Sequence, residues 1–437
     1  MPCLSGRLRP FPVAVLAMAL FATACSSDEG AAPATTVAVT QPPATSIDPD
    51  APTADGVLRI GVLYPQTGGQ AGLGPAIRAA GELALADLNE AGGVLGQPVE
   101  VTFADAGDAT TDTASASLDR LAAAKVDVII APPSSGVTSL VLDKVARSGA
   151  VLMSAANPPT EAPSEVPYLQ LAPSLELLGQ AVGERLAAKG LPSALIVARD
   201  DPFGQRVSAA AATALKAKGV TATVQRYNPE AEVYTADVAN ALAAGPAQVV
   251  LVGYAEVADF LSGFIARGVL PANFPLYVVS DRLDNALFRR FTQPGILNGL
   301  RAIGLGSEVE SRGNGFAQRL VKADPAATNA AFAAPTYDAV VVAALAAAKS
   351  VSDAPLALRE AAPSVTGGTK GDRCADGAAC LAMLASGRQD VTYAGQGGPY
   401  RLDQQRLATA GTFAEFPVGS DNRLATGQAE AFRTPQT

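Results

Sequence analysis

The chain alternates between short apolar runs and longer segments in which apolar residues recur every three or four positions. The short runs have the length of buried strands, and the longer segments have the period of helices that pack on one face. Strands that alternate with helices predict parallel sheets covered by helices on both faces. The predicted strands are LRIGVLY from Leu58, VEVTFAD from Val99, VDVIIAP from Val126, AVLMSA from Ala150, ALIVARD from Ala194, VTATVQRY from Val220, QVVLVGY from Gln248 and LYVVSD from Leu276.

This strand–helix series starts twice, once before and once after about residue 173. The repetition predicts an α/β protein with two doubly wound, Rossmann-like lobes. We predict that residues 56–173 and 303–405 form the first lobe, that residues 174–302 and 406–420 form the second, and that residues 421–437 are a C-terminal tail. Tyr337 opens an alanine-rich segment that is predicted to be a long helix.

The N-terminus has the pattern of an export signal. Arg7 and Arg9 precede the apolar run VAVLAMALFA, which is too short to span a membrane. The sequence Ala22-Thr-Ala-Cys25 resembles a bacterial lipobox, which implies removal of residues 1–24 and a lipid on Cys25. A secreted protein with a chance cysteine is the alternative. Residues 25–55 are rich in Ala, Pro and Thr, without a periodic apolar face, and are predicted to be a lipidated, flexible tether.

Composition removes several classes of function. The 437 residues carry a net charge of −9 and form no basic stripe, which argues against nucleic acid as a partner. The chain has no His, so a Ser-His-Asp triad, a Cys-His pair and a His-based metal site are all excluded. We therefore predict no metal, no cofactor and no enzymatic activity. A hydrolase that uses Ser134 or Ser135 is the enzyme alternative, but no base lies nearby in the sequence to activate either serine.

The cysteines outside the signal peptide and the lipobox are Cys374 and Cys380. An exported protein meets an oxidising compartment, so a local disulfide is the natural interpretation. Two free thiols are the alternative. Without further ligands the pair does not form a zinc site.

A glycine-rich turn follows the first predicted strand, in PQTGGQAGLG from Pro65. Gly72 and Gly74 match the first two glycines of a dinucleotide-binding loop, but Ile77 stands where the third is needed. The turn also lacks the Lys of a P-loop. It therefore supports phosphate binding only weakly, although it allows a ligand to approach the backbone at the carboxyl end of a strand.

Polar residues follow other predicted strands. Ser134 and Ser135 stand before a predicted helix, where hydroxyls and N–H groups bind carboxylate or phosphate, although serines there also act as helix caps. Asp281 ends a strand of the second lobe, where it could bind a ligand, cap a helix or pair with Arg282. Tyr254 follows another strand. An anion seat in one lobe and a carboxylate with an aromatic ring in the other complement a zwitterion such as an amino acid.

Several stretches together resemble the type I solute-binding proteins of the branched-chain amino-acid receptor group, which serve ABC transporters. The resemblance covers roughly residues 57–418, and the ordered series of motifs is more specific than any one of them. The matching stretches are IGVLYPQTGGQAGLG, NEAGGVLGQPVEV, FADAGD, PPSSGVT, DDPFGQ, VGYAEVADF and the Cys374/Cys380 pair before VTYAGQGGPYRLD. The resemblance implies two lobes joined by a multi-strand hinge, which close on a ligand.

The resemblance also implies roles for single residues. Ser135, with Ser134, stands where the family binds the ligand carboxylate, Asp281 where a carboxylate receives the ammonium, and Tyr254 where an aromatic ring supports it.

Other positions depart from the family pattern. Phe203 replaces a common Tyr, Leu73 replaces Tyr or Trp, and Asn157 stands in a shortened stretch that normally carries a Ser or Thr ligand. Leu73 and Phe203 favour an apolar or small ligand, whereas Arg282 leaves an acidic ligand or an amide open.

The function that we expect is capture of a small, amino-acid-like solute by an extracytoplasmic monomer, which is held to the membrane by its lipid and delivers the solute to an ABC transporter permease. A ligand sensor of the same fold, signalling to a membrane receptor, is the alternative.

Overall fold

The computed structural model of the protein describes residues 54–156, 158–159, 163, 166–283, 285–313, 315–367 and 372–434. The predicted signal peptide, Cys25 and all but the last two residues of the predicted tether lie outside these ranges. The helices are α1 (Gly74–Glu90), α2 (Thr113–Ala123), α3 (Ser135–Ser148), α4 (Leu175–Ala187), α5 (Pro202–Ala217), α6 (Thr235–Ala243), α7 (Val257–Ala266), α8 (Ser307–Gly313), α9 (Phe316–Ala323), α10 (Ala333–Ser350), α11 (Pro355–Thr366) and α12 (Gly377–Ala385).

The strands belong to two large sheets and one small sheet. They are β1 (Arg59–Tyr64), β2 (Glu100–Asp105), β3 (Val128–Ile130), β4 (Val151–Ser154), β5 (Tyr168–Gln170), β6 (Ser193–Arg199), β7 (Thr221–Tyr227), β8 (Val249–Val252), β9 (Leu276–Val279), β10 (Arg301–Leu305), β11 (Asp372–Cys374), β12 (Val391–Tyr393), β13 (Thr412–Pro417) and β14 (Glu430–Arg433). All eight strands that the apolar runs predict are present.

The first lobe is built on a five-stranded sheet in the order β2-β1-β3-β4-β5, and all its strands are parallel. The second lobe has a seven-stranded sheet in the order β14-β13-β10-β9-β8-β6-β7. Strands β6, β7, β8, β9 and β10 are parallel to one another. β13 runs antiparallel to β10, and β14 runs antiparallel to β13. The structure therefore confirms the predicted fold class of two doubly wound α/β lobes.

Six strands of the described residues, β5 and β10 to β14, lie outside the eight predicted runs, and three of them are instructive. β5 is only three residues long, and β10 crosses the predicted boundary between residues 302 and 303. β14 lies in the stretch predicted to be a C-terminal tail, where Glu430–Arg433 pairs with β13. Because β14 is a short and mostly exposed edge strand, it has no apolar run to reveal it. The remaining domain boundaries stay predictions.

The chain crosses between the two sheets three times, and the crossings form the hinge. They are residues 171–174 between β5 and α4, residues 305–307 after β10, and residues 409–412 before β13. The second and third crossings are joined by a hydrogen bond of 2.9 Å from the Gly306 N–H to the Thr412 carbonyl. This hydrogen bond holds the two crossings together where the chain passes between the lobes.

Helix α10 lies at the centre of the first lobe and packs against α1, α11 and α12. Nearly all of its residues are buried, which explains why its sequence is apolar on every face. Among the described residues, no single helix is long and apolar enough to cross a membrane, and α10 with α11 meets the length and composition criteria only as a pair bent by 102°.

Candidate functional site

A cleft of about 220 Å³ lies beside the hinge, with walls from both lobes. The first lobe contributes Ser135 and the second contributes Phe203, Tyr254 and Asp281. The full lining is Ser135, Pro158, Pro159, Pro173, Ser174, Leu175, Leu178, Asp201, Pro202, Phe203, Arg206, Tyr254, Asp281 and Leu305.

A second cavity of about 560 Å³ adjoins this cleft, and Asp281 and Leu305 line both spaces. Leu73 lines the second cavity, on the wall formed by the glycine-rich turn. Its lining residues are Gly69, Gln70, Gly72, Leu73, Asp281, Arg282, Leu283, Asn285, Leu305, Ser307, Thr328, Asn329, Ala331, Phe332, Phe416, Leu424 and Thr426. Asp281 therefore stands where the two spaces meet.

The two predicted serines have different positions. Ser134 is the N-cap of α3, and its Oγ accepts a hydrogen bond of 3.4 Å from the Val137 N–H. Ser135 is the first residue of α3 and lines the cleft. The N-terminal end of a helix carries a partial positive charge and unsatisfied N–H groups. This wall of the cleft is therefore suited to an anionic group, and the hydroxyl of Ser134 is committed to capping the helix.

Two more helices begin at the cleft. Ser174 caps α4 and Asp201 caps α5, accepting hydrogen bonds from the N–H groups of Leu177 and Gly204 at 3.2 and 2.9 Å. Pro202 follows Asp201 at the first helical position, where proline is favoured because it has no N–H to satisfy. The starts of three helices thus converge on the same space.

Tyr254 is held in place by aromatic and ionic neighbours. Its ring stacks on Phe203 with 4.9 Å between centroids, and the guanidinium groups of Arg199 and Arg282 lie 4.4 and 4.2 Å from its centroid. Its backbone N–H donates to Glu256 Oε1 at 3.1 Å. Burial and the neighbouring Asp281 raise the pKa of Tyr254, so its hydroxyl stays protonated and can donate a hydrogen bond.

A buried ionic cluster supports this arrangement from behind. Arg199 binds Asp201 Oδ2 at 2.6 Å and Glu256 Oε1 at 2.8 Å. The Tyr227 hydroxyl donates to the same Glu256 oxygen at 3.0 Å. A side chain at Gly253 would bring Cβ within 2.2 Å of that hydroxyl, so only glycine fits there. The cluster fixes the loop that carries Tyr254.

Asp281 is the exceptional group in the cleft. Its side chain is 15% exposed, and its Oδ1 is buried without a hydrogen-bond partner among the described residues. Arg282 Nε lies 3.8 Å from Oδ1, which is an ionic contact beyond hydrogen-bond distance. Burial raises the pKa of Asp281, and Arg282 and the Tyr254 hydroxyl act in the opposite direction. A carboxylate left in this state gains from a cationic group that enters the cleft.

The glycine-rich turn is organised from within the protein. Asp105 accepts hydrogen bonds from the N–H groups of Gln66 and Thr67 at 3.0 and 3.1 Å, and Asp108 accepts one from Gly69 at 3.3 Å. Gly74 is needed because a Cβ there would lie 2.5 Å from the Pro65 carbonyl. Since carboxylates already occupy these three N–H groups, they are not available to a phosphate.

The structure brings four of the predicted ligand-binding residues to one cleft, namely Ser135, Phe203, Tyr254 and Asp281. Leu73 lines the adjoining cavity, and Ser134 lines neither space. Asn157 and Cys25 lie outside the described residues. Their roles in binding or lipidation remain predictions.

Cys374 and Cys380 form the expected disulfide, with their Cα atoms 5.4 Å apart. The described residues contain no group of three or more His, Cys, Asp or Glu side chains arranged to hold a metal ion.

Sequence reasoning missed Asp201, Arg206 and the ionic cluster around Arg199. The Asp-Pro pair at the start of α5 is a helix-start signal that points to Asp201. Arg206 follows Phe203 by three residues, which places it on the same side of the helix. Arg206 binds Glu176 on α4 at 2.5 Å, a pairing between two helices that local sequence does not reveal.

A family model described as "Periplasmic binding protein" matches residues 57–379 of the chain. The chain belongs to this family of two-lobed solute-binding proteins. Family membership implies an extracytoplasmic location and a binding protein rather than an enzyme. No curated relative matches the chain.

Solved structures of similar fold include a putative branched-chain amino acid ABC transporter protein from Rhodospirillum rubrum, 20% identical, with a TM-score of 0.62 over 84% of this chain and 99% of that one. The substrate-binding protein LivJ from Streptococcus pneumoniae, in complex with isoleucine, is 16% identical, with a TM-score of 0.60 over 86% and 100%. A solute-binding protein from R. palustris in complex with benzoate is 18% identical, with a TM-score of 0.55 over 85% and 95%.

Proposed function

We propose that this protein is a lipid-anchored solute-binding protein that captures an amino acid or a similar small zwitterion or amide and delivers it to an ABC transporter permease. The observation that carries the proposal is Asp281, whose buried Oδ1 has no hydrogen-bond partner among the described residues, in a cleft that Ser135 lines from the other lobe. An ammonium group of the ligand would donate the hydrogen bond that Asp281 Oδ1 lacks. A carboxylate of the ligand would bind at the N-terminal end of α3.

Closure of the lobes follows from the same arrangement. The first lobe binds the carboxylate of the ligand and the second lobe binds its ammonium group. A ligand that contacts both lobes therefore binds the closed form better than the open form. The hinge crossings allow the lobes to approach as rigid bodies. In this proposal the permease recognises the closed, loaded form.

One structural neighbour supports the choice of ligand class, and another represents the alternative. LivJ was solved with isoleucine, a zwitterion, and the R. palustris protein with benzoate, a carboxylate without an ammonium group. The buried carboxylate of Asp281 favours the zwitterion for this chain, because a ligand without a cation leaves Asp281 uncompensated.

The test of ligand capture is a thermal-shift screen of the purified protein against amino acids, amides, ureas and small carboxylates. A ligand that binds only the folded state stabilises it by about 2.7 kcal/mol at 100 times its Kd. We expect amino acids to raise the Tm. Shifts with carboxylates alone would reject the zwitterion, and no shift with any compound would reject capture of this ligand class.

The lipid anchor has a separate test. In the proposal, Cys25→Ser prevents lipidation, and the protein leaves the membrane fraction of its host. The matched control is Cys3→Ser, which lies inside the predicted signal peptide and leaves the anchor intact. Retention of the Cys25→Ser variant in the membrane fraction would contradict the anchor.

A further inference from the structure

The two adjoining spaces differ in how their charged groups are paired. In the smaller cleft, Arg206 is bound to Glu176 at 2.5 Å and Asp201 to Arg199 at 2.6 Å, so these charges are balanced within the second lobe. Asp281 is the exception. Of the described residues that line the larger cavity, two are charged, Asp281 and Arg282, one of each sign.

Arg282 is presented to the larger cavity. Its side chain is 49% exposed and its guanidinium lies over the Tyr254 ring, 4.2 Å from the centroid. The ring holds the guanidinium by its face, which leaves the N–H groups at the edge of the guanidinium plane for hydrogen bonds. The ionic contact of 3.8 Å to Asp281 is too long to be a hydrogen bond.

The larger cavity is mixed, and polar side chains share its lining with apolar ones. Gln70, Asn285, Ser307, Thr328 and Asn329 line the same cavity. An aliphatic side chain placed there would remove these groups and the guanidinium from water without replacing their hydrogen bonds, which is unfavourable. A side chain that ends in a carboxylate would satisfy them.

We propose that Arg282 determines specificity and that the ligand is an amino acid with an anionic side chain, such as L-glutamate. This inference rests on the proposed function, because it assumes that Ser135 and Asp281 bind the α-carboxylate and the α-ammonium. The ligand side chain then extends from Asp281 into the larger cavity, where its carboxylate accepts hydrogen bonds from the Arg282 guanidinium. The neighbouring Asp281 and Arg282 thus bind neighbouring charges of one ligand.

The inference reverses the expectation that Leu73 and Phe203 favour an apolar ligand. Phe203 is 6% exposed and stacks on Tyr254, so most of its ring surface is buried by packing within the second lobe. Leu73 packs against the core of the first lobe and is one apolar residue at the rim of a mixed cavity. Neither forms a closed apolar pocket by itself.

The test is calorimetric titration of the purified full-length protein with L-glutamate, L-glutamine and L-leucine. The variant is Arg282→Gln, and the matched control is Arg289→Gln, an exposed arginine that lines neither space. We expect the wild-type protein and the control to bind glutamate at least 10 times more tightly than leucine. Arg282→Gln should lower glutamate affinity about 30-fold or more and leave leucine affinity within about threefold, since a charged hydrogen-bonded pair is lost for glutamate alone.

The outcomes separate this inference from the proposed function. If leucine binds as tightly as glutamate or more tightly, or if Arg282→Gln weakens both ligands equally, Arg282 does not determine specificity, while capture of amino acids stands. If glutarate, which has both carboxylates but no ammonium, binds as tightly as glutamate, the role of Asp281 fails and that of Arg282 stands. If none of these compounds binds, this inference is rejected, and the thermal-shift screen alone decides the proposed function.

Discussion

Two buried aspartates, Asp338 in the first lobe and Asp281 in the second, differ in how many hydrogen bonds the protein donates to them. Asp338 lies on α10 and accepts four hydrogen bonds: from the hydroxyls of Tyr393 and Tyr400 at 2.5 and 2.7 Å, and from the N–H groups of Gln396 and Gly397 at 2.7 and 2.8 Å. Asp281 has a buried Oδ1 with no hydrogen-bond partner among the described residues.

The difference separates a structural carboxylate from one that the fold leaves incomplete. Asp338 ties the segment before the third hinge crossing to the central helix, and all its donors come from the protein. Asp281 has a cavity on either side and a cation only at 3.8 Å. An incompletely paired buried group lowers stability, and a ligand that supplies the missing partner offsets that loss.

Replacing Asp338 should have the largest effect on stability. Asp338→Ala leaves two hydroxyls and two N–H groups buried without an acceptor, and we expect the free energy of unfolding to fall by about 3–5 kcal/mol. Urea unfolding measures the change, and Asp390→Ala at an exposed position is the control. If Asp338→Ala does not fold, Asp338→Asn, which keeps one acceptor oxygen, should show a smaller loss. A change below about 1 kcal/mol in both variants would contradict the structural role.

Asp281→Ala should affect ligand binding rather than stability. We expect ligand binding to weaken by about 2–5 kcal/mol because a desolvated ammonium loses its counter-charge. The free energy of unfolding should be unchanged or raised, because a buried carboxylate with an incomplete set of partners is removed. Calorimetry and urea unfolding on the same preparation measure both quantities. Unchanged affinity, or a loss of stability as large as that of Asp338→Ala, would remove the distinction between the two aspartates.

Asp127 is a third buried aspartate, and within the described part of the chain its Oδ1 also has no hydrogen-bond partner. It lines neither of the two spaces. Burial raises the pKa of Asp127 to about 7. A carboxyl group whose folded pKa exceeds its unfolded value stabilises the fold at low pH, and this stability is lost as the pH rises from about 4 to about 7.

We therefore expect Asp127→Asn to match the wild-type protein near pH 4 and to exceed its stability by about 1–3 kcal/mol at pH 8. The substitution retains an oxygen for the Arg59 N–H, which donates to Asp127 at 2.8 Å. Urea unfolding across this pH range checks the prediction. A variant that is less stable than the wild-type protein at pH 8 would show that the ionised Asp127 has a structural partner.

Tyr254→Phe should have the smallest effect. The variant keeps the ring that stacks on Phe203 and supports Arg282, and it removes only the hydroxyl beside Asp281. We expect affinity for an amino acid to fall by about 1 kcal/mol, the size of one hydrogen bond, with stability unchanged. Tyr234→Phe, whose hydroxyl donates to the Pro229 carbonyl at 3.0 Å away from both spaces, is the matched control for binding. Equal effects of the two variants on affinity would argue against a role of the Tyr254 hydroxyl in the cleft.

The sequence alone determined the two-lobed α/β fold, because buried parallel strands such as β1 and β8 are apolar throughout and the helices between them keep one apolar face. It also indicated Ser135, Tyr254 and Asp281, since residues at the carboxyl ends of parallel strands meet at one edge of a sheet.

The tertiary structure alone decided which of these polar groups find their hydrogen-bond partners within the protein. Ser134 and Ser135 are adjacent serines, but one caps a helix while the other lines the cleft. Asp338 and Asp281 are both buried acids, but only the first has four donors, contributed by residues more than fifty positions away along the chain. Whether a polar group finds its partners depends on distant segments brought together by folding, and a local sequence pattern does not contain that information.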